Sequence, residues 1–374
     1  MPRRTSTPRK APARQLDIVN ELRREIVRGL LAPGSQFPLR VELEQRFGAS
    51  RVTVQRAIDL LREEGFVYVK GRQATYVSDD PPHLTRHALV FPQMAPADGV
   101  KAAPWFWEAL AHEAGRIEQE CNLRLRAHHD VDARAQTEPY QALVAAVRNH
   151  QLAGLIFPIG TGPYLGTPLL DYPRTPRVAI ADPGAPGGVA VVTLDARSMV
   201  ARALDHFAAR GRRRVAVLTV TGAVAGHFGD ISAALAGRGL TTRACWSHEV
   251  NLATPHTART LVHLIMCACH GERPDALLIT DDNLVGPATE GLVAAGCRVP
   301  EDLDVVGHCN FPWPTPAHVP VRRIGYDANR CLRLCLESLA AQRRGEACPD
   351  RTLPALFECE LGGGAMPPSP GAGA

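Results

Sequence analysis

Side chains that can hydrogen-bond to nucleic-acid bases cluster at the start of one predicted helix. Arg51, Thr53 and Gln55 follow Gly48, which permits a sharp turn, and Ser50, whose hydroxyl is a favourable helix N-cap. Residues at the start of such a helix are the ones that reach base edges in the major groove of DNA. The spacing therefore indicates recognition of DNA.

Apolar spacing predicts the elements that position these side chains. A helix over residues 15–30 is followed by a short second helix, which ends at the turn. Two strands, residues 66–69 and 75–77, would form a wing that carries Lys70 and Arg72. The predicted inward faces hold Leu16, Val19, Leu22, Ile26 and Leu30 in the first helix, Val41, Leu43 and Phe47 in the second, and Val54, Ile58 and Leu61 in the third.

The formal charge of +4 is distributed unevenly. Residues 1–78 hold 15 Lys and Arg against 8 Asp and Glu, whereas the remaining residues hold 27 against 30. A positive segment on a slightly acidic body fits attraction to phosphates at one end of the chain. Charge alone fits a solvated face with a disordered basic arm equally well, and the helix pattern decides in favour of DNA binding.

Several classes of protein are disfavoured. The sequence contains no Gly-x-Ser-x-Gly, His-Glu-x-x-His, Walker-type phosphate loop or strand-linked Gly-x-Gly-x-x-Gly, so we expect no enzyme activity. It has no apolar run long enough to span a membrane, and no apolar stretch follows the basic N-terminus. We therefore expect a cytoplasmic, nucleoid-associated protein rather than a transport-type binding protein.

The ten cysteines all lie at or after Cys121 and are irregularly spaced. In an intracellular protein such cysteines are usually reduced and pack as small hydrophobic residues. Cys267-Ala-Cys-His270 and His308-Cys309 could suggest a metal site, but zinc ligands are more often spaced by two to four residues and occur as two pairs. We expect neither a metal nor a cofactor.

Residues 14–78 resemble the GntR-type winged helix-turn-helix. The shared features are Pro-Gly-Ser near position 34, a Pro before the second helix, Ser-Arg-x-Thr-Val at 50–54 and Leu-x-x-Glu-Gly-Phe at 61–66. The resemblance implies a small α+β domain that binds double-stranded DNA. Arg24, Arg46 and Arg62 are expected to be solvated helix charges. The candidate DNA contacts are Arg40, Ser50, Arg51, Thr53, Gln55, Lys70 and Arg72.

Departures from that family concern base preference. Val41 and Gln55 stand where the family usually or often has Arg, and Gln73-Ala74 precede Thr75 where its wing reads Gly-x-Gly-Thr. Gln favours adenine, whereas Arg favours guanine. We therefore expect DNA binding with an altered base preference, and we expect Arg40 to replace part of the cation missing at position 41.

Short apolar strands alternate with helices from His87 onward, after Asp79-Asp-Pro-Pro82 interrupts the pattern. Such alternation indicates parallel sheets covered on both faces. Ligands of such sheets bind beyond the carboxyl ends of the strands. Strands are predicted near residues 88–91, 123–127, 154–157, 215–220, 276–280 and 303–306, and helices near 105–120 and 141–149.

Residues 87–362 resemble the effector domain of the LacI family, which has the type I periplasmic-binding-protein-like fold. The matching stretches are Pro104-Trp-Phe, residues 151–157, residues 211–216 and, most strongly, residues 281–307. The resemblance implies a two-lobed α/β domain with mostly parallel sheets, in which the chain passes between the lobes near residues 158–190 and 305–325. The predicted segments are a disordered basic arm (1–13), the winged helix-turn-helix (14–78), a linker (79–86), the effector and dimerisation domain (87–362) and a disordered tail (363–374).

By that resemblance a small-molecule effector binds at the strand ends and the first helix. His227 and Cys309 stand where sugar-binding members usually have Arg and Asp, so carbohydrate is the leading ligand class by resemblance only. Other roles fit these residues too: packing for the aromatic rings, helix capping for the aspartates, and a structural or surface role for the histidines. The candidate ligand contacts are Phe91, Trp105, Phe106, Asp195, His227, Asp281, Asp282, His308 and Asn310.

The segment 78–85 contains paired prolines and acidic residues, which disfavour the minor-groove helix found in LacI relatives. We therefore expect a sensor homodimer to control the spacing of two winged helices on a palindromic operator. Repression is the expected outcome because it is the commoner one among the relatives. The alternative is a DNA-binding protein whose C-terminal domain only dimerises and senses no ligand.

Overall fold

The computed structural model describes residues 15–70, 74–92, 104–172, 175–221, 228–268 and 272–361. The predicted arm and tail both lie outside these ranges. No helix within the ranges is long and apolar enough to cross a lipid bilayer.

The N-terminal domain packs helices against one another and against a short antiparallel hairpin. Ile18, Leu43 and Leu61 come from successive helices and are fully buried together. The segment between the first two helices is hydrogen-bonded to the hairpin: Phe37 N donates to Thr75 O at 2.8 Å. The elements are α1 (Gln15–Val27), α2 (Arg40–Phe47), α3 (Arg51–Glu63), β1 (Val67–Lys70) and β2 (Ala74–Val77).

The buried faces of the first two helices differ from the sequence prediction. Leu16 is 62% exposed, Leu30 is 70% exposed and Val41 is 55% exposed, so the prediction that they face inward is wrong. Helix α1 ends at Val27, which leaves Leu30 in the following turn. Ile18 takes the inward position because it lies at helical spacing from the other buried residues of α1.

A one-turn helix, α4 (Pro82–Thr85), lies between the two domains. Pro82 stands in the first turn of this helix, where the missing N–H of proline needs no partner. That the segment does not form the minor-groove helix of LacI relatives stays a prediction. The C-terminal domain contacts this turn, since Arg343 Nη1 donates to Leu84 O at 2.6 Å. The linker is therefore a packed element that contacts the C-terminal domain.

The C-terminal domain forms two α/β lobes. Its elements are β3 (Arg86–Val90), α5 (Trp105–Glu120), β4 (Arg124–His128), α6 (Glu138–Arg148), β5 (Gly154–Phe157), α7 (Pro168–Asp171), β6 (Arg177–Ile180), β7 (Ala190–Leu194), α8 (Ala196–Ala209), β8 (Val215–Val220), α9 (Phe228–Ala236), β9 (Ser247–Val250), α10 (Thr257–Ala268), β10 (Ala276–Ile279), α11 (Val285–Ala294), β11 (Asp304–Phe311), β12 (Arg322–Asp327), α12 (Ala328–Arg343), β13 (Arg351–Leu353) and β14 (Leu356–Phe357).

Each lobe is built on one mostly parallel sheet. In the first lobe the described strands lie in the order β4-β3-β5-β6-β7-β13, and all neighbours are parallel. In the second lobe the order is β9-β8-β10-β11-β12-β14, in which β14 is antiparallel. Nearly all residues of the central strands are buried, as expected for parallel sheets covered by helices. The predicted two-lobed α/β architecture is confirmed.

The chain passes between the lobes from β7 to α8, from β12 to α12, and from β13 to β14. These passages are neighbours, since Asp195 N donates to Leu353 O at 3.0 Å, and together they form the hinge. The predicted passages near residues 158–190 and 305–325 are wrong. The first of these segments joins β5, β6 and β7 of one sheet, and the second joins β11 to β12 of the other.

Candidate functional site

The turn between α2 and α3 presents the start of α3 at the surface. Gly48 has a left-handed conformation (φ 59°), and its N–H donates to Glu44 O to end α2. Ser50 caps α3, as the sequence predicted: its Oγ accepts from Thr53 N at 3.3 Å and lies 2.9 Å from Thr53 Oγ1. These two candidate DNA contacts therefore also fix the first turn of the helix.

Arg51 is the candidate base contact that the protein restrains least. Its side chain is exposed on the first turn of α3 and forms no ion pair with any described residue. By contrast, Arg40 Nε lies 3.2 Å from Glu44 Oε1, and Gln55 Nε2 donates to Asp59 Oδ1 at 3.2 Å. Contact of Arg40 with DNA would require this ion pair to break, and contact of Gln55 would require its hydrogen bond to break.

Val52 is a surface residue that the sequence reasoning missed. It follows Arg51 and is 59% exposed, although it is apolar. An apolar side chain at this place can contact the methyl group of thymine in the major groove. The signal was present in the sequence, because Val52 falls outside the helical spacing of Val54 and Ile58.

The hairpin forms the predicted wing. Tyr68 pairs with Tyr76 across β1 and β2, and their ring centroids lie 5.9 Å apart. Lys70 is exposed at the end of β1. Arg72, the other predicted wing cation, lies outside the described residues. Lys70 is thus the candidate wing cation that the structure describes.

A second candidate site lies at the carboxyl ends of the second-lobe strands. Asp281 and Asp282 follow β10, and His308 and Asn310 lie in the neighbouring β11. Asn310 Nδ2 donates to Asp282 Oδ2 at 2.6 Å, and His308 Nδ1 lies 3.8 Å from Asp282 Oδ1. Asp281 Oδ1 accepts from Asn283 N at 2.9 Å and caps the turn that follows. The structure thus brings four of the candidate ligand residues together.

Burial changes the ionisation of this cluster. Burial, and after it the charge of Asp282, raises the pKa of Asp281. Burial by itself would lower the pKa of His308, but the contact with Asp282 and the charge of Asp281 outweigh it and raise that pKa. A protonated His308 therefore offsets part of the negative charge of the two carboxylates.

Replacing His308 with glutamine should change how stability depends on pH. Because the folded state raises the pKa of His308 above the unfolded value of about 6.5, this residue stabilises the fold below that pH. The contribution is lost as the pH rises through the raised pKa. Urea unfolding of parent and His308→Gln should give a stability difference that shrinks with rising pH. A difference that stays constant would contradict the ion pair.

Several buried polar atoms in this region have no hydrogen-bond partner among the described residues. They are His308 Nδ1, Asn310 Oδ1, Thr219 Oγ1 and Tyr326 Oη, all near the carboxyl ends of second-lobe strands. Unpaired buried polar groups are uncommon in native proteins, and a bound ligand or water can account for them. These atoms therefore identify the part of the site that is ready to accept or donate hydrogen bonds.

Tyr326 is a site residue that the sequence reasoning missed. It lies opposite Asn310 in the register of β11 and β12, and its ring centroid is 5.6 Å from that of His308. Burial, and after it the charge of Asp195, raises the pKa of Tyr326, so the hydroxyl stays protonated. No strand near residues 322–327 was predicted from the sequence, and Tyr326 enters the site only through the pairing of β12 with β11.

The candidate ligand contacts in the first lobe are aromatic residues. Phe91 is fully buried, and its ring stacks on His129 at 4.9 Å and lies 5.1 Å from that of Trp107. In this conformation Phe91 packs the lobe. Trp105 and Phe106 begin α5 and are half-buried. Trp105 N donates to Asn283 Oδ1 of the second lobe at 3.2 Å, so the start of α5 contacts the turn after β10.

Two candidate ligand residues remain, Asp195 and His227. Asp195 stands in the hinge and caps α8, with its Oδ1 accepting from Ser198 N at 2.9 Å. The structure therefore gives Asp195 the capping role that the sequence left open beside ligand contact. His227 lies outside the described residues.

A buried carboxylate, also missed from the sequence, links the lobes. Glu113 of α5 is fully buried and accepts hydrogen bonds from Trp313 Nε1 at 3.0 Å and Asn329 Nδ2 at 2.7 Å. Arg116 Nη1 lies 3.0 Å from the same carboxylate. Trp313 belongs to the second lobe and Asn329 follows the hinge, so these bonds hold the lobes in the observed relation.

The described residues contain no group of three or more His, Cys, Asp or Glu able to hold a metal ion. Cys269 and His270 of the sequence segment considered for a metal lie outside the described ranges. The cysteines that the structure describes are all free. The expectation that they are buried holds for Cys309, Cys331 and Cys335 but is wrong for Cys245, Cys267 and Cys359, which are exposed.

Two protein-family models match the chain, one in the N-terminal domain and one in the C-terminal domain. Residues 14–77 match the model described as bacterial regulatory proteins, gntR family. Residues 204–354 match the periplasmic binding protein-like domain, which here covers the second lobe and part of the returning chain. The two matched segments therefore contain the α2–α3 site and the carboxylate cluster respectively.

Curated relatives are regulators of transcription. The arabinose metabolism transcriptional repressor of Geobacillus stearothermophilus is 23% identical over 90% of this chain and 95% of its own length. The pyridoxine biosynthesis transcriptional regulator PdxR of Corynebacterium glutamicum is 28% identical over 50% of this chain. The chain spans only 46% of the length of PdxR.

Solved structures share the fold. A transcriptional regulator CelR–cellobiose complex aligns with a TM-score of 0.56 at 18% identity, over 86% of this chain and 98% of that one. A LacI family regulator from Lactobacillus casei with bound sucrose aligns with a TM-score of 0.55 at 17% identity, over 73% and 98%. The chain therefore joins a gntR-family helix-turn-helix domain to a two-lobed periplasmic-binding-protein-like domain.

Proposed function

We propose that this protein is a DNA-binding transcriptional repressor whose DNA affinity is modulated by a small molecule bound between the lobes. The observation that carries the proposal is the set of buried polar atoms beside the hinge that have no hydrogen-bond partner among the described residues. The same chain exposes Arg51 at the start of a capped helix in the DNA-binding domain. Ligand and DNA would therefore act on one molecule.

The ligand class that fits best is a carbohydrate or a related polyhydroxy metabolite. The carboxylates of Asp281 and Asp282 can accept from hydroxyl groups, while Asn310 Oδ1 accepts and the Tyr326 hydroxyl donates. Trp105 could supply an apolar face from the first lobe. Regulators of the same fold bind cellobiose and sucrose, which supports this choice.

We propose that the protein acts in the cytoplasm and binds a palindromic operator as a homodimer. A dimer would place two copies of α3 in successive major grooves, about 34–36 Å apart. The ligand changes DNA affinity by its preference for one arrangement of the lobes, typically about 1–3 kcal/mol. The hydrogen bond from Arg343 to Leu84 O of α4 connects the C-terminal domain directly to the linker.

Replacing Tyr326 with phenylalanine tests the ligand site. The change removes a buried hydroxyl that has no described partner, so it should weaken sugar binding about tenfold without loss of stability. The active sugar is first found by thermal-shift screening of the parent against arabinose, sucrose, cellobiose and other sugars. Affinities are then measured by isothermal titration.

Tyr164→Phe is the matched control. Its hydroxyl is also buried but donates to Val131 O at 3.1 Å in the first lobe. This variant should lose about 1 kcal/mol of stability and bind the sugar normally. If no metabolite binds the parent or alters its DNA affinity, the C-terminal domain serves only for dimerisation and the proposed sensing is wrong.

A further inference from the structure

A second set of cavities lies where the DNA-binding domain meets the first lobe. One cavity of about 410 Å³ is lined by the end of α1, by α4 and by the end of α12. An adjoining cavity of about 470 Å³ lies between α1 and the end of α6. They share Arg28 and His150, and we call the two together the junction groove.

The described lining of the junction groove is basic and includes no Asp or Glu. Some of its cations are already paired: Arg23 Nη2 lies 2.6 Å from Glu64 Oε2, and Arg24 binds Glu21. Arg28 and Arg148 are exposed and form no ion pair with a described residue. The groove therefore retains positive charge that the described protein does not neutralise.

His83 of α4 lies in the lining of the junction groove. Burial, followed by the charges of Arg343 and His150, lowers the pKa of His83 to about 4. Its Nδ1 is buried without a hydrogen-bond partner among the described residues. Arg177 lies in the same lining, and burial lowers its pKa while the charge of Asp171 opposes the change. An anion in the groove would offset the charges of Arg343 and His150 at His83 and would favour the charged form of Arg177.

Both domains contribute to the groove. Arg28 comes from the DNA-binding domain, whereas Arg148 and Arg177 come from the first lobe. A direct bond also crosses the junction, since Arg23 Nη1 donates to Asn149 Oδ1 at 3.1 Å. A ligand bound between these cations would therefore hold the DNA-binding domain in one orientation on the sensor.

We propose that the junction groove binds a phosphate dianion, either inorganic phosphate or the phosphate group of a metabolite. Guanidinium groups bind phosphate oxygens through charge-assisted and often bidentate hydrogen bonds. The volume of each cavity lies in the range of small-molecule sites. Phosphate is thus a second input to the regulator, separate from the cleft between the lobes, and it acts on the domain orientation directly.

Isothermal titration of the full chain tests this proposal. Inorganic phosphate and glucose 6-phosphate are titrated separately in chloride buffer at constant ionic strength. The parent should bind saturably, and Arg28→Gln with Arg148→Gln should lower the affinity at least about tenfold. Arg28→Lys with Arg148→Lys should recover part of it. Tighter binding of the sugar phosphate would identify a metabolite as the source of the group.

Arg134→Gln is the matched control, because Arg134 is an exposed cation of the same lobe outside the groove. It should bind phosphate like the parent. Equal affinity of the parent and the double glutamine variant would overturn the proposal, as would binding that never saturates. Loss of operator affinity by that variant in phosphate-free buffer would also overturn it, because the cations would then contact the DNA backbone.

Discussion

Replacing Arg51 with alanine is expected to lower the affinity for operator DNA about 100-fold or more. A bidentate contact between an arginine and a base contributes about 1–3 kcal/mol, and the proposed dimer would lose two of them. Arg51 suits this contact because it is exposed on the first turn of α3 and unpaired among the described residues. The measurement is a gel-shift titration with DNA selected from a genomic library by the parent.

Arg62→Ala provides the control. Arg62 lies in the last turn of the same helix, where Nη2 is 3.1 Å from Asp59 Oδ1. Its loss removes one positive charge far from the proposed base contacts, so specific binding should fall only slightly. Similar losses in both variants would show that net charge, rather than base recognition by α3, determines the affinity.

Replacing Gly325 with alanine is expected to destabilise the protein by about 3 kcal/mol. A Cβ at this position would lie 2.8 Å from the carbonyl carbon of Cys309 and would overlap its oxygen. Both atoms belong to the backbone of β11, so the strand carrying His308 and Asn310 would have to move. Urea unfolding should show the loss of stability, and titration should show weakened sugar binding.

Gly115→Ala should have the opposite effect on stability. Gly115 lies within α5, and a Cβ there would meet no atom within 4 Å. Because alanine favours a helix over glycine, this variant should gain up to about 1 kcal/mol of stability. A stable Gly325→Ala protein with normal ligand binding would show that β11 and β12 can separate without disturbing the site.

The elements that depend on local sequence were predictable. Helix α5 and strands β5 and β8 have the predicted bounds, because their apolar spacing and flanking residues fix them locally. The turn at Gly48 and the cap at Ser50 are likewise local features. The short helix α4 was not predictable from proline content alone, since its first turn tolerates Pro82.

The relation between the lobes could not be predicted from local patterns. The hinge depends on which sheet each strand joins, and β13 returns to the first lobe only after α12. The bond between Glu113 and Trp313 joins residues 200 positions apart. Four residues of the candidate site, namely Asp281, Asp282, His308 and Asn310, were predicted from the sequence, whereas Tyr326 gained its place from the pairing of β12 with β11.

Helix α12 connects the hinge to the linker between the domains. It starts beside Asp327 at the hinge and ends at Arg343, which bonds to the backbone of α4. Its 16 residues correspond to a rod of about 24 Å at 1.5 Å per residue. A pivot of about 5° at one end of such a rod displaces the other by about 2 Å. If the proposed ligand rotates the lobes slightly about the hinge, the displacement would therefore be larger at the far end of α12, where it contacts α4 next to the DNA-binding domain.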